Sequence, residues 1–192
     1  MKRGRGRIGN QAGFTLIEIA IVMVIIGLLI GGVLKGQEMI NNAKVKRIVK
    51  QADELRAAIM TFYDKFGQYP GDENSTVFPP GADATTGNNN GQIAAAEAPG
   101  VFTDLALSNL ISGTYTAAAP YPTHPFGGTT RVQWIDPGPG NARHCIVFTN
   151  MPAEACLEID AKYDDGVWNT GSIAGGAAYA AGTTIANFYI VF

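Results

Sequence analysis

Apolar residues fill positions 13–34 almost without a break, GFTLIEIAIVMVIIGLLIGGVL, and a periodic pattern replaces that run farther along the chain. The 21 residues 14–34 suffice, at about 1.5 Å per residue, to cross a hydrocarbon core of about 30 Å. This stretch predicts a transmembrane helix. The next apolar positions are Val45, Ile48, Ala52, Leu55, Ile59, Phe62 and Phe66, spaced three and four apart as one buried helical stripe requires. Neither glycine nor proline occurs between Gln37 and Phe66, so one helix of about 80 Å is expected over residues 14–66, ending at Gly67.

Past Gly67 the pattern breaks up. QYPGDENSTVFPP opens a loop, punctuated by prolines and turn formers, that runs to Gly100. Residues 102–111, FTDLALSNLI, predict a short helix, and AEACLEIDAKY after Pro152 predicts another. RVQWI (131–135), HCIVFT (144–149) and NFYIVF (187–192) are rich in β-branched and aromatic residues and predict strands, while GSIAGGAAYAAGTT is expected to be loop. The order of elements implies an α+β fold: a small antiparallel sheet in a globular head, residues 67–192, laid on the second half of the long helix. A coiled coil with another chain would use the same spacing, but only about three heptads are present and the sheet needs a partner.

Charge divides the chain in the same way. Residues 1–13 carry Lys2, Arg3, Arg5 and Arg7 and no acid, which keeps this segment cytoplasmic and sends the head to the other side of the membrane. The formal net charge is −2 overall, hence −6 without those residues; residues 67–192 hold eleven acids against Arg131, Arg143 and Lys162, a net of −8. Such a head is unsuited to nucleic acid, whose phosphates need a basic face. Lys44, Lys46, Arg47 and Lys50 are a solvated helix face or a contact for anionic lipid.

Glu18 is the one acid within the apolar run, and in lipid a lone carboxylate costs about 2.5 kcal/mol or more unless partnered. A short basic segment ending in Gly13, then Phe14, then Glu18 at the fifth position after Gly13, then about twenty apolar residues: this resembles the N-terminal signature of type IV pilins and type II secretion pseudopilins. The resemblance implies a leader, residues 1–13, cleaved after Gly13 by a prepilin peptidase in the inner membrane. It also implies methylation of the new Phe14 amine and packing of the apolar helices with other pilin subunits into a filament core. Within such a core the Phe14 amine of one subunit can pair with Glu18 of another, neutralising two charges in an apolar setting. Many pilins have a proline about twenty residues into this helix; here Lys35 is flanked by Gly31, Gly32 and Gly36. Gly27–x–x–x–Gly31 and Gly32–x–x–x–Gly36 also allow close helix approach. The expected role is structural, in a pilus or a secretion pseudopilus, the alternative being a membrane-tethered periplasmic binding module that does not polymerise.

Little else in the sequence carries chemistry. No nucleophile elbow, P-loop or zinc-protease motif occurs, and His124 and His144 are the only histidines, so no enzyme is expected. Cys145 and Cys156 are the only cysteines; in an oxidising periplasm an even count predicts a disulfide, two buried free thiols being the other reading. Asp164 and Asp165, beside Gly166, are read as turn formers rather than an acid–base pair. TGNNNGQIAAAE places Thr86, Asn88, Asn90, Gln92 and Glu97 at EF-hand positions one, three, five, seven and twelve. Calcium is therefore a candidate cofactor there, with Asp72 or Asp83 to supply missing charge; a polar Asn-Gly turn is the competing reading.

Overall fold

The computed structural model describes residues 13–75, 87–138 and 140–192. The elements follow in the order α1 (Leu16–Phe66), α2 (Ala98–Leu107), β1 (Thr130–Ile135), β2 (Arg143–Pro152), α3 (Ala153–Tyr163), β3 (Ile173–Gly175) and β4 (Thr184–Val191). The chain divides into two compact units, Met1–Asn41 and Asn42–Phe192, and α1 contributes to both.

In the first unit α1 is long and apolar enough to cross a membrane, and its most apolar stretch is not buried among the described residues. In the second unit the same helix buries Val45, Ile48, Ala52, Leu55, Ala58, Ile59 and Phe62. All six periodic positions from Val45 to Phe62 are therefore inside, and Phe66 packs against the same core with its ring 4.6 Å from Phe62. Gly67 ends the helix with φ 74° and an N–H donated to Tyr63 O. Left-handed backbone there halts the helix while satisfying one of its last carbonyls.

The sheet is antiparallel, ordered β1-β2-β4-β3. Its central strands are apolar on both faces, because each face is covered. Val132, Ile146, Phe148, Phe188 and Ile190 join the α1 stripe in one core cluster, while Cys145, Val147, Ala174 and Tyr189 form a second. At Asn150 the backbone turns left-handed (φ 55°), and beyond it Met151 and Ile185 join the first cluster, so β2 outlasts the predicted 144–149. Both outer edges are occupied by loops. Thr130 N and Trp134 N of β1 donate to Pro122 O and Ile93 O, while Ile173 N and Gly175 N of β3 donate to an Asp164 carboxylate oxygen and Trp168 O. Such capping removes the free strand edges through which sheets associate.

Other elements differ from expectation as well, β4 beginning at Thr184 rather than at 187. The helix placed at 102–111 lies at Ala98–Leu107, because Pro99 fits its first turn and Asn109 (φ 56°) closes its end. The three-residue strand β3 lies in the glycine- and alanine-rich tract expected to be loop.

Candidate functional site

The N-terminal segment is organised by a reciprocal cap. Thr15 precedes the first helical residue and Glu18 stands at the third helical position. Thr15 N and Oγ1 both donate to Glu18 Oε2 at 2.7 Å, and Glu18 N donates to Thr15 Oγ1 at 3.3 Å. This is a capping box, which satisfies two of the helix's orphan N–H groups. It is legible in the sequence as T-x-x-E, a signal that an argument from the charge of Glu18 alone passes over. Both donors end on Oε2, so among the described residues Oε1 accepts no hydrogen bond and can face a cation. Phe14, Leu16 and Ile17 are 83%, 87% and 66% exposed, and open space surrounds the missing Cβ of Gly27, Gly31, Gly32 and Gly36. This length of apolar helix requires lipid or other helices around it. The leader, apart from Gly13, lies outside the described residues.

The head is knitted together by buried acids. Asp104 accepts Gly71 N at 2.5 Å, while Asp72 accepts Asn90 N at 3.1 Å and Gly91 N at 2.8 Å. Both acids are fully buried. Gly71 has φ 83°, and a Cβ there would sit 2.8 Å from Glu97 O, so only glycine lets the YPGD segment lie against α2. His144 is packed among Tyr69, Trp134 and Phe192, and its Nε2 accepts Ile93 N–H at 3.2 Å.

The same loop contains most of the candidate calcium ligands. Thr86 and Asp83 lie outside the described residues. Both oxygens of Glu97 accept hydrogen bonds at 2.8 Å, one from Asn88 Nδ2 and one from Ala94 N, and Asn90 Oδ1 accepts Gln92 N at 2.9 Å. Asp72 does reach the loop, as an acceptor for its backbone. Calcium needs six to eight oxygens directed at one point, and the described donors do not fit that set, since their oxygens are engaged in holding a polar turn.

Cys145 and Cys156 are both free thiols, which corrects the expected disulfide. Cys145 faces the second core cluster and Cys156 the first. They belong to opposite faces of the sheet, so no short bridge can join them. Burial pushes the Cys145 thiol up to about 12 and raises that of Cys156 as well, which leaves both in the unreactive protonated form.

Asp160, Asp164 and Asp165 bring carboxylate oxygens within 4.8 Å of one another. Each is engaged: Asp160 accepts Gly166 N and Tyr179 OH, Asp164 accepts Ser172 N and Ile173 N, and Asp165 accepts Val167 N and Thr170 Oγ1. The cluster shapes the loop after α3, the kind of role expected for Asp164 and Asp165.

Comparison with known proteins places the information at the N-terminus. Residues 8–34 match the prokaryotic N-terminal methylation motif. Among solved structures, the chain is similar to that of the major Type IV pilin PilA1 from Clostridium difficile, at 14% identity, covering 79% of this chain and 96% of that one, with a TM-score of 0.40. No curated protein matches it in sequence.

Proposed function

We propose, from an N-terminus that carries the prokaryotic N-terminal methylation motif, that this chain is a pilin-type structural subunit, cleaved after Gly13, methylated on Phe14 and assembled through α1 into a pilus or secretion pseudopilus. The observation that carries the reading is Glu18, a lone acid fixed on the first turn of an exposed apolar helix, four residues beyond Phe14. Cleavage converts the Phe14 amide into an amine, and a methylated amine still takes up a proton. That cation cannot remain unpaired among apolar helices, and neither can Glu18. Staggering neighbouring subunits so that the Phe14 amine of one meets Oε1 of Glu18 on another solves both problems. The thiols, the acid cluster and the turn loop of the head then act in folding rather than in chemistry.

Expression in cells with and without a prepilin peptidase tests this reading. A drop in size and the appearance of sheared filaments only when the peptidase is present would support it. A protein that stays uncleaved and unshearable in both is the tethered module instead.

A further inference from the structure

Arg143 opens β2 opposite Ile135, on the sheet face shared with Cys145 and Val147. It lines a pocket of about 270 Å³ together with Pro137, Asn141, Asn169, Thr170 and Ala174. Its Nε is buried and finds no acceptor among the described residues. The acid next to this strand end, Asp136, already accepts Gly138 N at 3.0 Å and Gly140 N at 2.8 Å. Asp136 is within electrostatic reach of Arg143 but spends its oxygens on these amides, so among the described residues the buried Nε stays unmatched and the planar fork can still take an anion.

We infer that this pocket binds a small hydroxylated monocarboxylate, of the class of a sugar acid. With Asp136 already beside the guanidinium, a monoanion adds the least further charge; a dianion such as phosphate would leave more of it uncompensated in a head already strongly negative. The carboxylate takes the guanidinium fork. Thr170 Oγ1 donates its only proton to Asp165 Oδ2 at 2.6 Å, so towards the pocket it can only accept, which suits a ligand hydroxyl. Asn141 and Asn169 supply both donors and acceptors, and Pro137 and Ala174 supply apolar wall for the C–H face of a ring. The volume suits one ring, being close to the lower limit of about 300 Å³ for ligand sites. The inference does not depend on polymerisation, since the pocket lies wholly within the second unit.

The test uses the purified full-length chain in detergent and ligand-observed NMR titrations with glucuronate, glucose and inorganic phosphate. Saturable glucuronate binding is expected, with glucose and phosphate at least about tenfold weaker, as the loss of one charge-assisted pair implies. Arg143→Met keeps the aliphatic stem and should weaken glucuronate about tenfold; Arg143→Lys should fall between the two. Asn169→Ala should weaken it severalfold with the thermal melt unchanged, a readout that stands even if Arg143→Met fails to fold. Absence of saturable glucuronate binding, glucose or phosphate binding as tightly, or unchanged affinity in folded Arg143→Met would overturn the inference.

Discussion

His144 and His124 each have a hydrogen bond that fixes a neutral ring. His144 Nε2 accepts Ile93 N–H, while His124 Nδ1 accepts Phe126 N–H at 3.3 Å and its Nε2–H donates to Thr149 O at 2.8 Å. Burial lowers the pKa of both, opposed by Asp72 at His144 and by the Thr149 bond at His124. The unfolded chain therefore binds more protons near and below the ordinary histidine value of about 6.5, so this stability is full above that pH and is lost as pH falls through it. The slope is at most about 1.4 kcal/mol per pH unit for each histidine. Thermal melts should drop between about pH 7.5 and 5.5 in the wild type, and less steeply when both histidines are glutamine. Asp160, whose carboxyl burial pushes up, acts with the opposite sign, so the difference between the two slopes is the quantity to measure; equal slopes would contradict the assignment. The cysteines give a second test at this scale. Thiol titration should find no reactive group in the folded chain and both cysteines after denaturation, with reductant leaving the melt unchanged. Composition could count these four residues but not place them: Cys145 and Cys156 are eleven positions apart, and only the sheet passing between them rules out the bridge.

The elements were legible where one periodicity governs a whole segment. The stripe from Val45 to Phe66 foretold which face of α1 is buried, because a helix of that length repeats its pattern several times. Three residues of β3 repeat nothing, and alanine and glycine carry no strand signal, so Ile173–Gly175 was hidden until β4 paired with it. The polar turn at Asn88–Glu97 was legible only as spacing, which suits calcium and a self-closed loop equally well. The structure adds the fully buried Asp72, which ties the turn together through Asn90 N and Gly91 N. Asp72→Ala should destabilise the head by about 1 to 3 kcal/mol by stranding those donors. Melts of the full-length chain in millimolar calcium and in EDTA should coincide, and a calcium-dependent rise would mean that the loop rearranges to bind it. Along the first part of α1, replacing Gly31 and Gly32 by alanine should favour the isolated helix by about 1 kcal/mol per site. Among the described residues no neighbour opposes the added Cβ. If close helix approach needs those glycines, filament yield should nevertheless fall while membrane insertion is unchanged.

At the scale of the whole molecule, α1 connects two demands that no single environment meets. Its first part exposes an apolar surface that water does not tolerate, while from Val45 onward the same helix is the floor of the head's core. The capped Glu18 is the polar exception at the membrane end, and in the proposed filament it pairs with the amine that cleavage creates at Phe14. Glu18→Ala removes the carboxylate and leaves both the Gly13–Phe14 bond and the apolar run intact, so processing and insertion should persist while assembly is lost. The decisive measurement is the intact mass of the protein recovered in the sheared extracellular fraction, wild type beside Glu18→Ala. The wild-type species should begin at Phe14 and carry one added methyl group, and none of the variant should reach that fraction although it is cleaved in the membrane. Wild-type protein retained in the membrane with residues 1–13 still attached, or variant filaments at wild-type yield, would be incompatible with assembly through this charge pair.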